Sequence, residues 1–356
     1  MNTSALTQRI VRLGEEKVDA LVYTGPKNVE VRDVPVPEPR QGSIKVRMAF
    51  CGICGTDIGI FSGKHPRAKA PLILGHEFVG RVDQCSDHSR FQPGDRVVAY
   101  PLISCGECYA CRNGTPHVCA NLRLIGIDQD GGLTDHVWID ESVLFKVPDT
   151  LSDRIAALVE PLAVVVRALH QARFELGQNA VVMGAGPIGL LTAIALRHAG
   201  ASKILISDVD QGRLDLCRHL GFDTVDVRSE SLIERVYEAT HNDGADTVFE
   251  CSGVESAALE MTQVVRVGGT ICLTATHKNA HAVQLIDVNF KELTLVGSRV
   301  YTKSEFGSAV ALAEVLAHEL EHVITQTVPL SDSAKVFDMI ADPSQNTVKI
   351  LVDCQR

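Results

Sequence analysis

The sequence predicts an α/β protein in two parts, a mostly β first half followed by a doubly wound parallel sheet. The length of 356 residues exceeds what one ordinary core organises. From Ala20 to about Val147 the chain runs in short β-rich stretches broken by glycine, proline and aspartate turns. Beyond Asp149, short apolar strands alternate with stretches of helical period, the rhythm of a parallel sheet with crossover helices.

In chain order, residues 1–18 read as a polar extension with no assignable chemistry. The strand-forming runs of the first half are L-V-Y, V-E-V-R, I-K-V-R-M, E-F-V-G-R-V and D-R-V-V-A-Y. The alternation then opens with a strand at 180–183 and a glycine-rich turn at 184–189. Pro187 suits the first position of a helix, and Ile188, Leu191, Ala195 and Leu196 follow at helical spacing until Gly200 stops it. Further strands are expected at 203–207, 246–250, 270–274 and 293–296. A capping box, Thr302 with Glu305, introduces a helix over 306–320, and strand-like text returns at 348–352. This tail is expected to fold back onto the first half.

Hydrophobic residues make up 45% of the chain and charged residues 22%, proportions of a globular protein with a real core. The net charge of -10 contains no basic block, which argues against nucleic acid and anionic membranes as partners. No apolar run approaches the length of a membrane span, and the N-terminus lacks the apolar core of a secretory signal. The expected compartment is the cytoplasm, where close cysteines serve more often as metal ligands than as disulfides.

Four of the eleven cysteines, Cys105, Cys108, Cys111 and Cys119, sit in C-G-E-C-Y-A-C-R-N-G-T-P-H-V-C. Three at three-residue spacing and a fourth eight residues on can aim four thiolates at one tetrahedral ion, as in closed structural zinc sites. G-A-G-P-I-G (Gly184 to Gly189) follows a strand and opens a helix. Gly184 makes the tight turn, Gly186 lets backbone approach a pyrophosphate, and Gly189 packs helix on strand. Pro187 and Ile188 form the helix N-terminus that attracts phosphate charge. Asp208, 19 residues past Gly189, ends the next strand, where a carboxylate grips the ribose hydroxyls of an adenosine. A 2′-phosphate there would meet like charge costing about 4 kcal/mol at 4 Å and an effective dielectric of about 20, which favours NAD over NADP. Arg213 works against that preference, since an arginine can serve a 2′-phosphate.

Cys54, His76 and Glu77 offer sulfur, nitrogen and oxygen donors, and Glu160 offers another carboxylate. Three protein ligands and one open position are what catalytic zinc needs.

Taken together, C-G-I-C-G-T-D (Cys51 to Asp57), L-G-H-E-F (Leu74 to Phe78), the four-cysteine loop, E-P-L-A from Glu160, and G-A-G-P-I-G make the chain resemble a known family from about residue 19 to its end. It resembles the zinc-dependent medium-chain dehydrogenases/reductases, in the branch holding polyol (sorbitol), butanediol and threonine dehydrogenases. The resemblance implies a GroES-like catalytic domain over 19–161 and 299–356, with a Rossmann NAD-binding domain over 162–298. It further implies two zinc ions per chain and a homodimer or homotetramer. Cys54 and His76 become catalytic zinc ligands, and Glu77 and Glu160 compete for the remaining positions, directly or through water. Alcohol dehydrogenases of the family carry a cysteine where Glu160 stands, which points to the polyol-like branch. The four cysteines match the structural site.

Thr56 resembles the family hydroxyl that passes a proton outward; the alternative is a backbone bond within its loop. Alcohol dehydrogenases often place a histidine five residues past the zinc cysteine, where this chain has Gly59, which leaves His65, ribose hydroxyls or solvent as the exit. Arg299 resembles an arginine near substrate and nicotinamide, with an inter-domain ion pair as the alternative. Phe61 and Ile127 are candidates for the pocket wall, and Cys51, Cys85, Cys217, Cys251, Cys272 and Cys354 are expected to be small buried residues.

The implied activity is hydride transfer from a secondary alcohol of a polyol or sugar alcohol to NAD, with zinc as the Lewis acid that makes the hydroxyl acidic. Threonine or 2,3-butanediol oxidation is the nearest alternative, and G-S-R-V-Y-T-K-S-E-F looks especially like the butanediol group. From another class stands a non-catalytic nucleotide-binding protein of the same fold.

Overall fold

The computed structural model describes residues 17–36 and 39–356. The expected polar extension lies outside them except for its last two residues, which already belong to a strand, Lys17–Gly25. That strand forms an antiparallel hairpin with Asn28–Pro35 and adds the short strand Leu72–Ile73 on its other side.

The main sheet of the β-rich half centres on Ser43–Gly52. On one side it pairs with Glu77–Gln84, which continues to Arg96–Ala99 and Leu144–Lys146. On the other side it receives Lys349–Asp353, with Leu351 opposite Gly52 and Val352 opposite Cys51, and then Ile324–Pro329. The tail therefore completes the first sheet. K-I-L-V is buried along its whole length, as a strand covered on both faces must be.

The second half forms a parallel sheet in the order Asp223–Asp226, Lys203–Asp208, Asn179–Met183, Ala245–Glu250, Val265–Leu273, Thr294–Gly297. Its direction of growth reverses between Asn179–Met183 and Ala245–Glu250, and ligands of such sheets bind in the crevice at that switch point. Apolar, β-branched runs such as A-V-V-M and T-V-F-E supply strands that bury both faces. The helix Pro187–His198 begins as expected at Pro187, and Gly200 follows it at φ +83°.

Helix Val159–Ala172 joins the halves. Its first turn carries Glu160, and its far end packs on the parallel sheet, where the Cys272 thiol donates to the Ala168 carbonyl at 3.6 Å. One apolar core runs from the β-rich half through this helix onto one face of the parallel sheet; a second covers the opposite face. The tail helix differs from expectation. The capping box starts it at Lys303, and it breaks at Leu316 (φ −92°, ψ 8°) into Lys303–Val315 and Ala317–Val323. The break turns Leu320 and Val323 into the core. Among the described residues, no helix is long and apolar enough to cross a membrane.

Candidate functional site

The four-cysteine loop is closed around a point. Cys105 and Cys119 sulfurs lie 3.4 Å apart, Cys108 and Cys111 3.5 Å, Cys108 and Cys119 3.8 Å, and Cys105 and Cys111 4.0 Å. A tetrahedral ion with metal–sulfur distances of about 2.3 Å spaces its sulfurs about 3.8 Å apart, so the set fits zinc. Backbone amides of Cys105 and Asn121 donate to the Cys119 sulfur at 3.3 Å, a feature that favours thiolates. Amides of Cys111 and Ala120 pull the Cys108 thiol down to about 6. Gly106 and Gly114, at φ +79° and +76°, let the loop turn twice within a few residues.

Cys54, His76 and Glu77 bring their donor atoms within 4.8 Å of one another, and Glu160 stands outside that set. Cys54 caps a short helix, Gly55–Phe61; its amide donates to Asp57 Oδ2 at 2.9 Å, and its thiol donates to Thr56 Oγ1 at 3.6 Å. His76 directly precedes, and Glu77 begins, the strand that pairs with Ser43–Gly52, and a side chain at Gly52 would collide with the Glu77 carboxylate.

Asp57 is a site residue that the motif contained but the sequence reading left without a role. It is fully buried, and its Oδ1 faces His76 Nδ1 at 4.0 Å, with both atoms otherwise unpartnered. At this distance there is no hydrogen bond, but a carboxylate behind the ring is where the outer support of a metal-binding imidazole stands. Lys349 and Tyr301 were also unforeseen. Lys349 Nζ donates to Glu77 Oε2 at 2.6 Å and to the Ile53 carbonyl at 3.0 Å; the Tyr301 hydroxyl donates to Glu160 Oε1 at 2.5 Å.

Electrostatically the cluster gathers the carboxyl groups of Asp57, Glu77 and Glu160 around His76 and Lys349. Burial pushes Glu160 up to about 7. Burial alone would depress the His76 pKa, but Cys54, Asp57 and Glu160 outweigh it and raise the ring well above its usual value. Sulfur, imidazole and carboxylate donors, with orphaned polar atoms behind them, fit a borderline cation such as zinc.

At the crevice, Gly184 adopts φ +106°, and a Cβ on Gly189 would lie 1.8 Å from the Gly184 carbonyl oxygen, so helix and turn pack as tightly as the motif requires. Gly186 is the N-cap of the helix begun by Pro187 and Ile188. Asp208 ends its strand as expected and also braces the glycine turn. Its carboxylate accepts from the amides of Ala185 at 2.6 Å, Val209 at 2.7 Å and Asp210 at 2.9 Å. Arg213 lies beside it, 3.9 Å from Oδ2. These bonds fit the turn for a dinucleotide.

Other expectations resolve individually. Arg299 is exposed, and no ion pair to it is found among the described residues. Thr56 lies against the Cys54 sulfur, while His65 accepts from the Ala68 amide at 3.2 Å. Phe61 stacks on Phe337 at 4.4 Å, and Ile127 is buried in the core. Cys51, Cys217, Cys272 and Cys354 are buried, but Cys85 and Cys251 are only half-buried. Each of these two follows directly on a strand end, where cover from the core runs out.

Comparisons with known proteins place the chain in a family. Residues 40–149 match the alcohol dehydrogenase GroES-like domain, and residues 187–315 match the zinc-binding dehydrogenase domain. The chain is 34% identical to 2-dehydro-3-deoxy-L-galactonate 5-dehydrogenase of Pseudoalteromonas atlantica, over 94% of this chain and 98% of the relative. It is 33% identical to L-threonine 3-dehydrogenase of Idiomarina loihiensis, over 89% and 94%. A zinc-binding dehydrogenase of Sinorhizobium meliloti, solved with NADP bound, superposes with a TM-score of 0.89 at 31% identity, covering 95% of this chain and all (100%) of that one. The chain belongs to the zinc-dependent medium-chain dehydrogenase/reductase family of oxidoreductases, which join a GroES-like domain to a Rossmann domain and work with zinc and a nicotinamide cofactor.

Proposed function

We propose that the protein oxidises a secondary alcohol of a polyol or sugar alcohol, passing the hydride to NAD. The observation that carries this reading is the convergence of Cys54, His76 and Glu77 donors within 4.8 Å, with His76 and Glu77 buried. A zinc ion held there would supply Lewis acidity that stabilises the deprotonated hydroxyl of the substrate.

The chain's own residues do the rest. Asp57 orients His76, Lys349 offsets one charge of Glu77, and Thr56 offers the hydroxyl nearest the Cys54 sulfur for moving a proton outward. The glycine turn and the helix N-terminus at Pro187 and Ile188 hold the pyrophosphate, and Asp208 holds the adenosine ribose, which favours NAD. Cys105, Cys108, Cys111 and Cys119 hold a second, structural zinc. The catalytic part comprises 19–161 and 299–356, and the coenzyme part 162–298.

A second substrate reading, threonine or a sugar acid, is favoured by Arg299. This exposed cation, with no ion pair among the described residues, lies two positions before Tyr301 in the sequence and would receive a carboxylate. We also infer self-association through the edge strand Thr294–Gly297 and the apolar helix beside it.

Metal analysis with a substrate panel tests the assignment. The wild-type protein should carry two zinc ions per chain and oxidise polyols with NAD. Cys54→Ser should keep one zinc, keep its fold and lose turnover. A single zinc in the wild type, or full turnover in the variant, would refute the catalytic site. Activity confined to threonine or sugar acids, lost in Arg299→Ala, would establish the second reading instead.

A further inference from the structure

Four donors cannot all bind one catalytic ion if a position is to stay open for substrate, because such sites take three protein ligands and leave the fourth position free. Here Cys54, His76 and Glu77 converge, and Glu160 does not. We propose that Tyr301 is a positioning residue that holds Glu160 beside the three-donor set, keeping the fourth position open to the substrate hydroxyl. The proposal rests on the catalytic zinc site put forward above.

The tether is short and rigid. The fully buried Tyr301 donates its hydroxyl to Glu160 Oε1 at 2.5 Å, and Glu160 itself is 8% exposed. The Tyr301 ring packs edge-on against Tyr100 at 5.7 Å and tilted against Phe306 at 5.6 Å. Its carbonyl accepts from the Tyr100 hydroxyl at 3.4 Å. The preceding residue, Val300, sits at φ +42°, a left-handed conformation that a β-branched side chain adopts only where its surroundings impose it. The segment entering Tyr301 is therefore strained into place, as expected if the position of this hydroxyl matters.

Glu77 provides the contrast. Its partner, Lys349, neutralises Oε2 yet leaves the carboxylate within the donor set. A phenol adds no positive charge, so it fixes the position of Glu160 without cancelling the charge that carboxylate contributes to the pocket. Released from Tyr301, the Glu160 carboxylate, whose charge already acts on His76, would compete for the open position.

The test uses full-length protein with zinc retained in the four-cysteine loop and cobalt(II) placed at Cys54, His76 and Glu77. Azide probes the open position through the visible cobalt spectrum. In Tyr301→Phe, azide should bind about tenfold more weakly or worse, the scale of one hydrogen bond to a charged group, while cobalt is retained as well as or better than in the wild type. Adding Glu160→Gln to that variant should restore azide binding, because an amide is a poor competitor for the ion. Unchanged azide affinity in Tyr301→Phe would overturn the proposal, as would failure of the double variant to restore it. Faster cobalt loss to a chelator would also overturn it, by making Tyr301 the support of a direct ligand. Retention of the four-cysteine zinc in every variant reports folding independently. If the wild type takes up no ion at Cys54, the site reading itself fails, an outcome separate from all of these.

Discussion

Glu77 and Lys349 form an ion pair with both side chains 2% exposed, one charge of which is also a candidate ligand. Burial alone would lower the Lys349 pKa, but the Glu77 carboxylate outweighs it and raises it. Removing the cation alone strands the carboxylate. Lys349→Met should therefore destabilise the metal-free protein by about 3–5 kcal/mol in denaturant titrations. Zinc loading should shrink that loss, because the ion replaces the missing positive charge; an equal loss with and without zinc would contradict the pairing of Glu77 with the metal. Asp208 needs a gentler substitution, since its carboxylate also accepts three backbone amides of the turn. Asp208→Asn removes the charge and keeps an acceptor. It should raise the ratio of kcat/KM for NADP over NAD by about tenfold or more, within the roughly 4 kcal/mol that two like charges at 4 Å can supply. An unchanged ratio would show that Arg213, rather than Asp208, governs the choice of coenzyme.

At the level of elements, the capping box of helix Lys303–Val315 also ties the tail to the joining helix. Glu305 accepts from the Thr302 amide at 2.8 Å and hydroxyl at 2.9 Å, and it meets Arg167 at 3.2 Å and His170 at 3.1 Å. Burial pushes its pKa up, but the Thr302 amide, His170 and Arg167 outweigh it and hold it below the ordinary 4.5. Because the folded value is depressed, the stabilisation is present above the unfolded pKa and disappears as pH falls through the folded one. Glu305→Gln should cost about 1–2 kcal/mol at neutral pH, and the gap to the parent should close on acidification below the carboxylate range. A gap that persists in acid would mean that packing, not charge, makes the difference. Devices of this kind were legible in the sequence because their partners lie a few residues apart. Thr302 with Glu305, Gly184 with Gly189, and the cysteine spacings are local patterns with local causes. The break at Leu316 was not legible, since it answers to core contacts elsewhere.

For the whole molecule, the least legible features are pairs joined only by the fold. Lys349 and Glu77 are 272 residues apart, and Tyr301 and Glu160 are 141 apart, so no window of sequence shows either pairing. They meet because the tail strand Lys349–Asp353 completes the first sheet and because residue 301 lies where the chain leaves the parallel sheet. The same topology leaves Thr294–Gly297 as an edge strand whose outer amides and carbonyls have no sheet partner among the described residues. Next to it, helix Leu285–Phe290 exposes Leu285, Ile286 and Phe290, the last at 79%, and Val267 is exposed beside them, joined to the end of that helix by the bond from the Gly268 amide to the Lys291 carbonyl. An unpaired edge flanked by clustered apolar side chains is a surface that soluble chains normally cover or blunt. A second copy can cover it by symmetry, meeting the same strand and helix. Sedimentation at micromolar concentration should give a dimer or larger species, and Phe290→Glu should shift it toward monomer while leaving two zinc ions per chain. A wild-type protein that sediments as a monomer throughout that range, or a variant that stays associated, would rule this face out as the interface.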